Sequence, residues 1–424
     1  MINSSAGLSK ADKASLYFVA WMWSFNIWHH LLSVIRRTPV LQLFTNYTIP
    51  TISILLGVYA IALNKDRIKR KDVIFCLVII FVYIVHIVAF PNNAEKLIEL
   101  QPFFFFSCFP YFIVGLFVDF NKQKNVLEYV SMAVILLNMV YRYIFNIGEG
   151  EGLVVDLGGG DDMGTAYFYL PHCLLLLYSI LQRFNIWKFL CVMVSLIMIL
   201  GSGNRGSLLM IVLFLVLFFV LVKTYKKPIL SRAVIIIIGL IAFLFLQDFA
   251  FFMSDWIVDL DLGFNDRTFR FFLEGNIADD NGRDAIKTML INSMSQSPLW
   301  GYGLCGDRVL TGTYSHDLFW ELCVSFGYLF GIVLFIWFVS IVIKGYLNCS
   351  TVNNKGFMII LFLLGFAVLF ISDSFLQNRF FWLLLGYAIN LRRNTNEILN
   401  SYEKTTVSMR TGKPNGLASS MQPS

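Results

Sequence analysis

The sequence predicts an all-α membrane protein, a polytopic bundle of about twelve transmembrane helices with one large external loop that carries short helices. Of the 424 residues, 57% are hydrophobic and only 14% are charged, a composition typical of chains that cross a bilayer repeatedly. The apolar runs are about 20 residues long, which is the length that a helix needs to cross the hydrocarbon core. The sequence lacks the short alternating segments of a β-barrel, so the predicted spans are helices.

The predicted spans follow the apolar runs in chain order. Nine of them form an N-terminal transmembrane region, 1–253, and lie at 15–35, 44–63, 72–90, 102–119, 126–146, 164–182, 185–201, 204–222 and 231–253. The external loop 254–317 comes next. A C-terminal transmembrane region, 318–393, then contains spans at 318–343, 355–373 and 377–391. The polar tail 394–424 is predicted to be disordered.

Basic residues predict how the chain is oriented. Most of them form clusters that fall on one side of the predicted spans, and the positive-inside rule makes that side cytoplasmic. The clusters lie at 65–71, 122–124, 183–188, 223–232 and 392–393. Both termini are therefore predicted to be cytoplasmic. Arg36 and Arg37 are exceptions to the positive-inside pattern, because they fall on the predicted external side. The same anchoring residues explain the net charge of +6, so nucleic acid is not a predicted partner.

The external loop 254–317 is the one connection long enough to form structure of its own. Loops of this length are uncommon without a function, so we expect a binding or catalytic site there. In the segment 283–294, apolar residues recur near helical spacing, which predicts an amphipathic helix on the membrane surface. The residues from Pro298 to Gly303 predict a turn.

Two arginines are candidate anion-binding residues. Arg205 lies in the Gly-rich turn GSGNRGS between two apolar runs, where a guanidinium suits capture of a phosphate or carboxylate. The alternative is an arginine that extends toward lipid headgroups. Arg283 opens the amphipathic helix, where a cation is unfavourable for the helix dipole and needs a compensating anion. That anion is either a ligand or a local partner, Asp280 or Asp284.

His316 is a candidate general base. It is the one histidine of the external loop and directly precedes a span. An imidazole with the ordinary pKa of about 6.5 can accept a proton from a hydroxyl group at neutral pH. The neighbouring Asp317 could orient the ring. The alternative is a surface histidine that caps the next helix.

Four further basic residues of the loop are candidates to enlarge the anion site: Arg267, Arg270, Lys287 and Arg308. Acidic residues outnumber basic ones in this loop, so some of these arginines are expected in internal ion pairs. The acidic residues at 259, 261, 279 and 280 leave a divalent-cation site as an alternative. Because two-residue acidic clusters are common by chance, no metal or other cofactor is predicted.

Three motifs between residues 200 and 390 carry a resemblance to a known family. They are the turn GSGNRGS after a span, an arginine followed by a helix and SPLWGYG, and SHDLFWELCVSFGYLFG entering a span. Together they resemble the O-antigen polymerase and ligase superfamily. The first half of the chain is similar to that family only in being hydrophobic. Family members often have Asn after the histidine, where this chain has Asp317.

The resemblance implies a metal-independent, inverting glycosyltransferase of the bacterial inner membrane, with the external loop in the periplasm. Its substrate would be an oligosaccharide repeat unit linked to undecaprenyl diphosphate, and it would build O-antigen or a related surface polysaccharide. Membrane lipid and a chain-length regulator protein would be partners. Arg205 and Arg283 would engage the diphosphate, His316 would be the site histidine, and Gly301 and Gly303 would be the glycines of the site loop.

Two alternative functions remain open from the sequence. A ligase would transfer the polysaccharide to lipid A core instead of to a second lipid-linked unit, but the form SHDLFWELCVSFG and the modest length favour a polymerase. A flippase or other transporter of lipid-linked oligosaccharide would place its functional charges near the middle of the membrane. The candidate charges of this chain cluster at one face, which favours an enzyme.

Overall fold

The computed structural model describes residues 8–28, 39–145, 163–202, 204–222, 282–297 and 299–393, and every regular element in these ranges is a helix. The all-α prediction is confirmed for this part of the chain. The α-helices are α1 Lys10–Trp23, α2 Pro39–Leu63, α3 Arg70–Ala89, α4 Ala94–Phe103, α5 Phe109–Gly115, α6 Phe120–Phe145, α7 Met163–Gln182, α8 Ile186–Gly201, α9 Arg205–Leu221, α10 Arg283–Met294, α11 Gly306–Thr311, α12 Leu318–Leu347, α13 Val352–Gly365 and α14 379–393.

Several of these helices are suited to a membrane. The described residues include five helices that are long and apolar enough to cross one: Arg70–Ala89, Pro91–Gly115, Gly164–Gln182, Leu318–Leu347 and Val352–Phe370. On α3 the large apolar side chains of Leu77, Phe81 and Val88 are 59%, 65% and 77% exposed. Lipid would cover such a face favourably and water would not. The chain therefore has the character of a membrane protein, and the number of twelve spans stays a prediction.

Helices occupy the predicted spans where the structure describes them, but several begin five to eight residues earlier than predicted, and α13 ends at Gly365 in a span predicted to reach 373. The span predicted at 102–119 begins instead at Ala94 and continues through a π-helical turn, Phe104–Cys108, into α5. Pro102 and Pro110 lie on either side of that turn. Each proline removes a backbone N–H donor from the helix, which favours the wider hydrogen-bond spacing of a π-helical turn. The predicted span 231–253, the loop residues 254–281 and the tail 394–424 lie outside the described residues.

The core is rich in aromatic side chains that join early and late helices. Phe120 of α6 stacks on Phe357 of α13 with ring centroids 3.9 Å apart. Trp23 of α1 packs edge-on against Phe380 of α14 at 5.6 Å, and its Nε1 donates to Ser131 Oγ of α6 at 3.0 Å. Burial of these rings stabilises the contacts between helices that are distant in sequence, and the indole N–H of Trp23 keeps a hydrogen bond in the core.

Connecting segments gather at two ends of the helical bundle. At one end, Asn93 Nδ2 donates to the carbonyl oxygen of Tyr302 at 2.6 Å. At the other end, Asn121 Nδ2 donates to Asn354 Oδ1 at 2.9 Å. Helix α3 runs from one end to the other, and its 20 residues correspond to about 30 Å. The described part of the loop that is predicted to be external, 282–297 and 299–317, therefore lies at the end away from the basic connecting segments.

Candidate functional site

The described part of the external loop folds back onto α12. Helix α10 begins at Arg283, and its side chains Leu290 and Met294 are fully buried against Cys323 and Val324 of α12. The amphipathic helix predicted from the sequence is present, and its buried stripe packs on protein, where the sequence suggested the membrane surface. This packing sets the direction of α10 and hence the position of Arg283.

The turn that follows α10 fits into a break in α12. Gly301 and Gly303 have φ angles of +66° and +81°, and Gly327 interrupts α12 with a φ of +78°. A Cβ at Gly301 would lie 2.4 Å from the carbonyl oxygen of Val324, and one at Gly327 would lie 1.9 Å from that of Leu299. Only glycine permits this approach of two backbones. A Cβ at Gly303 would lie 2.5 Å from the Phe90 ring, so both glycines that the resemblance assigns to the site loop have a packing role.

Two carboxylates hold the segment between α11 and α12. Asp307 is 1% exposed, and its Oδ2 accepts a hydrogen bond from the N–H of Ser315 at 2.8 Å. Asp317 is the N-cap of α12, and its Oδ1 accepts from the N–H groups of Phe319 and Trp320. Between these anchors His316 adopts a φ of +53°, which is uncommon for a residue other than glycine. Strained backbone of this kind often occurs at functional sites.

Asp317 caps α12, whereas the sequence suggested that it orients the His316 ring. Asn and Asp are equivalent as N-caps, which accounts for Asp317 at a position where the resembling family often has Asn. Asp317→Asn should therefore keep both stability and activity, while Asp317→Ala should lower stability by about 1 kcal/mol. Thermal unfolding of the purified chain in detergent measures the difference. Loss of activity in Asp317→Asn at unchanged stability would instead show a direct role for the carboxylate.

His316 presents a neutral ring with an unused nitrogen. The ring packs against Tyr314, with centroids 4.0 Å apart. Its Nδ1 is buried and has no hydrogen-bond partner among the described residues. Burial, and to a smaller degree the positive charge of Arg283, lowers the pKa of His316 to about 4. The imidazole is therefore neutral at pH 7, and the lowered pKa makes it a weaker base than a free histidine.

A chain of hydrogen bonds joins this loop to the turn that contains Arg205. The Tyr314 hydroxyl donates to the carbonyl oxygen of Ser372 at 2.9 Å, and the Ser372 hydroxyl donates to the Tyr167 hydroxyl. The side chain of Asn204, the N-cap of α9, also bonds the Tyr167 hydroxyl. Arg205 is the next residue. The Arg205 turn and the external loop therefore meet at Tyr167 of α7.

The predicted catalytic residues thus come together at one end of the bundle from separate elements. Arg283 acts electrostatically on both His316 and Tyr314, and Tyr314 leads through hydrogen bonds to the Arg205 turn. An arginine within electrostatic range of a neutral imidazole suits an anionic ligand that brings a reactive hydroxyl group. Arg267 and Arg270 lie outside the described residues.

The side chain of Arg308, which was also predicted to bind substrate, points into the protein interior. Its side chain is 9% exposed and donates to Ser374 Oγ at 3.0 Å and to Gln377 Oε1 at 3.3 Å. Its Nη1 lies 3.9 Å from Asp307 and 4.0 Å from Glu321. Internal ion pairing, which the acidic character of the loop led us to expect for some arginines, accounts for Arg308.

Sequence reasoning missed Glu321, Tyr167 and Tyr314. Glu321 carried a usable signal, because a carboxylate within an apolar run is costly unless it is paired. The two tyrosines carried none, since the chain has 18 tyrosines and these two differ from the others only in their tertiary contacts.

Comparison with known proteins adds no assignment to this site. No family model, curated protein or solved structure matches the chain. The resemblance to the O-antigen polymerase and ligase superfamily therefore stays a prediction.

Proposed function

We propose that this chain is a glycosyltransferase of the bacterial inner membrane that polymerises oligosaccharide repeat units linked to undecaprenyl diphosphate. The observation that carries the proposal is the contact of the His316 ring with Tyr314, whose hydrogen bonds lead to the Arg205 turn, together with the electrostatic effect of Arg283 on His316. A diphosphate donor needs cations at its leaving group, and an acceptor hydroxyl needs a base. Residues of both types lie at the same end of the bundle.

The proposed reaction is a direct displacement. The acceptor hydroxyl attacks the anomeric carbon, the bond from that carbon to the diphosphate oxygen breaks, and the bonding electrons leave with the diphosphate. The hydroxyl proton passes to a ring nitrogen of His316, whose neutral form at pH 7 is available for it. Arg283 and Arg205 stabilise the charge that develops on the diphosphate. Attack from the face opposite the leaving group inverts the anomeric configuration.

Arg283→Ala tests this function. We expect turnover to fall about 10²- to 10³-fold, because loss of a preorganised cation at a developing oxyanion has effects of this size. Arg283→Lys should also be impaired, since lysine lacks the bidentate guanidinium fork. The measurement is the length distribution of surface polysaccharide in cells whose own copy is replaced by the variant, where single-repeat product should persist without longer chains.

The matched control is Lys344→Gln in the last turn of α12, an exposed cation at the other end of the bundle, which should give normal chain lengths. The product pattern also separates the alternatives. A ligase defect would remove the single-repeat product as well, and a transport defect would prevent repeat units from reaching the external face. Normal long chains in Arg283→Ala would contradict the proposed role of the arginine.

A further inference from the structure

Leu299 and Trp300, in the turn that follows α10, expose large apolar side chains. Leu299 is 63% exposed and Trp300 is 72% exposed. Leu329 and Phe330, which follow the break in α12 against which this turn packs, are 60% and 52% exposed. Exposed apolar side chains that gather in one region mark a surface that binds protein or lipid. We call Leu299 and Trp300 the apolar tip.

Helix α12 gives the depth of the apolar tip. The backbone of Leu299 packs against Gly327, the residue at which α12 is interrupted. Lys344 lies in the last turn of α12, at the basic end of the bundle. The helix between Gly327 and Lys344 spans about 25 Å at 1.5 Å per residue, and the hydrocarbon core of a bilayer is about 30 Å thick. With Lys344 at one boundary of the core, the apolar tip lies just inside the other boundary.

Helix α3 gives the same depth independently. The ring of Phe75 contacts Trp337 of α12, with centroids 5.6 Å apart. Nearer the end of α3, the ring of His86 contacts Phe326 at 5.3 Å. The two helices are therefore antiparallel, and Gly327 lies at the level of His86. That level is about 25 Å from the basic start of α3, which again places the apolar tip just inside the boundary of the hydrocarbon core.

The backbone beside the apolar tip is suited to this depth. The N–H of Gly301 donates to the carbonyl oxygen of Ser297 at 3.2 Å, and its carbonyl oxygen accepts from Ser297 Oγ at 3.0 Å. The N–H of Tyr302 donates to the carbonyl oxygen of Val324 at 2.6 Å, and its carbonyl oxygen accepts from Asn93 Nδ2. Non-helical backbone is tolerated at membrane depth only where the surrounding protein or water satisfies its polar groups. Gly301 and Tyr302 meet this condition within the protein.

We propose that Leu299 and Trp300 insert into the bilayer at its external boundary, where lipid covers them and anchors the loop. Tryptophan is enriched at this boundary, because its ring is apolar and its N–H bonds to headgroups or water. The turn directly follows α10, whose first residue is Arg283, so the anchor fixes α10 relative to the membrane surface. The inference concerns lipid contact alone and does not require the glycosyl-transfer function.

The test is fluorine NMR of the full chain, labelled with fluorotryptophan, in phosphatidylcholine nanodiscs. The resonance that is absent from Trp300→Phe belongs to Trp300. Phosphatidylcholine with a nitroxide on its acyl chain broadens signals in lipid, and a gadolinium chelate broadens signals in water. We expect the nitroxide to remove most of the Trp300 signal and the chelate to leave most of it. Loss of the signal with the chelate would place the ring in water, and persistence with both probes would show that protein, such as a second copy, covers it; either result would overturn the proposal.

The matched control moves the reporter along the same element. Lys287 is exposed on α10, toward its Arg283 end and away from the apolar tip. In Lys287→Trp combined with Trp300→Phe, the new signal should be lost with the gadolinium chelate and kept with the lipid nitroxide. In Leu299→Trp combined with Trp300→Phe, the new signal should respond as that of Trp300 does. Equal responses at positions 287 and 300 would overturn the proposal, because the loop would then have one environment throughout.

Discussion

His316→Asn is expected to lower turnover by about 10²- to 10⁴-fold, the range for loss of a general base, while the chain stays folded. Asparagine is the matched replacement, because His316 has a φ of +53° and asparagine tolerates that region better than alanine does. The substitution removes the proton acceptor and keeps a polar side chain of smaller size. The measurement is the rate of chain extension by the purified protein, with thermal unfolding as the check on folding.

The pH dependence gives a second measure of the same residue. Since burial and Arg283 lower the pKa of His316 to about 4, the base form predominates in the free enzyme at all pH values well above 4. Values of kcat/KM, which report the free enzyme, should therefore fall only as the pH approaches 4. A bound diphosphate should raise this pKa, so kcat should fall at a higher pH. An acid limb of kcat/KM near pH 6.5, or one that persists in His316→Asn, would contradict the proposed base.

Arg308→Leu is expected to destabilise the protein by about 3–5 kcal/mol, the range for removing one partner of a buried ion pair. It would leave Asp307 and Glu321, each 1% exposed, without the guanidinium that balances them. Burial already raises the pKa of Asp307, so its charged form is costly and depends on Arg308. The measurement is the midpoint of thermal or denaturant unfolding in detergent.

Arg308→Lys serves as the graded comparison. It keeps the positive charge but cannot reach Ser374 and Gln377 with the guanidinium fork, so its stability should lie between those of the wild type and Arg308→Leu. Lys287→Ala, on the exposed face of α10, should change stability by less than about 0.5 kcal/mol. Wild-type stability of Arg308→Leu with lost activity would restore Arg308 to the substrate-binding role suggested by the sequence.

The parts of the site that could be predicted from the sequence depend on local signals. Apolar runs of helical length predict the helices, and the stretch from Pro298 to Gly303 predicts the turn. The apolar run that begins at Leu318 predicts the start of α12, whereas the capping role of Asp317 is not predicted, because the sequence suggests it as a partner of His316. Each of these signals lies within a few residues of the feature it predicts.

The parts that could not be predicted depend on contacts between distant residues. Gly327 breaks α12 because the backbone of Leu299 packs against it, and an isolated glycine in an apolar run does not reveal such a partner. Arg308 is committed to Ser374, 66 residues away, so its local sequence could not separate an internal arginine from a ligand-binding one. The proximity of the Arg205 turn to the external loop likewise arises from tertiary packing through Tyr167.

The most direct test of the central claim is chain extension by the purified protein. The full chain in nanodiscs is given undecaprenyl-diphosphate-linked repeat units, and the products are resolved by length while the new linkage is examined by NMR. We predict a ladder of lipid-linked oligomers with inverted anomeric configuration, present with the wild type and absent with Arg283→Ala. Unextended repeat units with folded wild-type protein, or the same ladder with Arg283→Ala, would contradict the account.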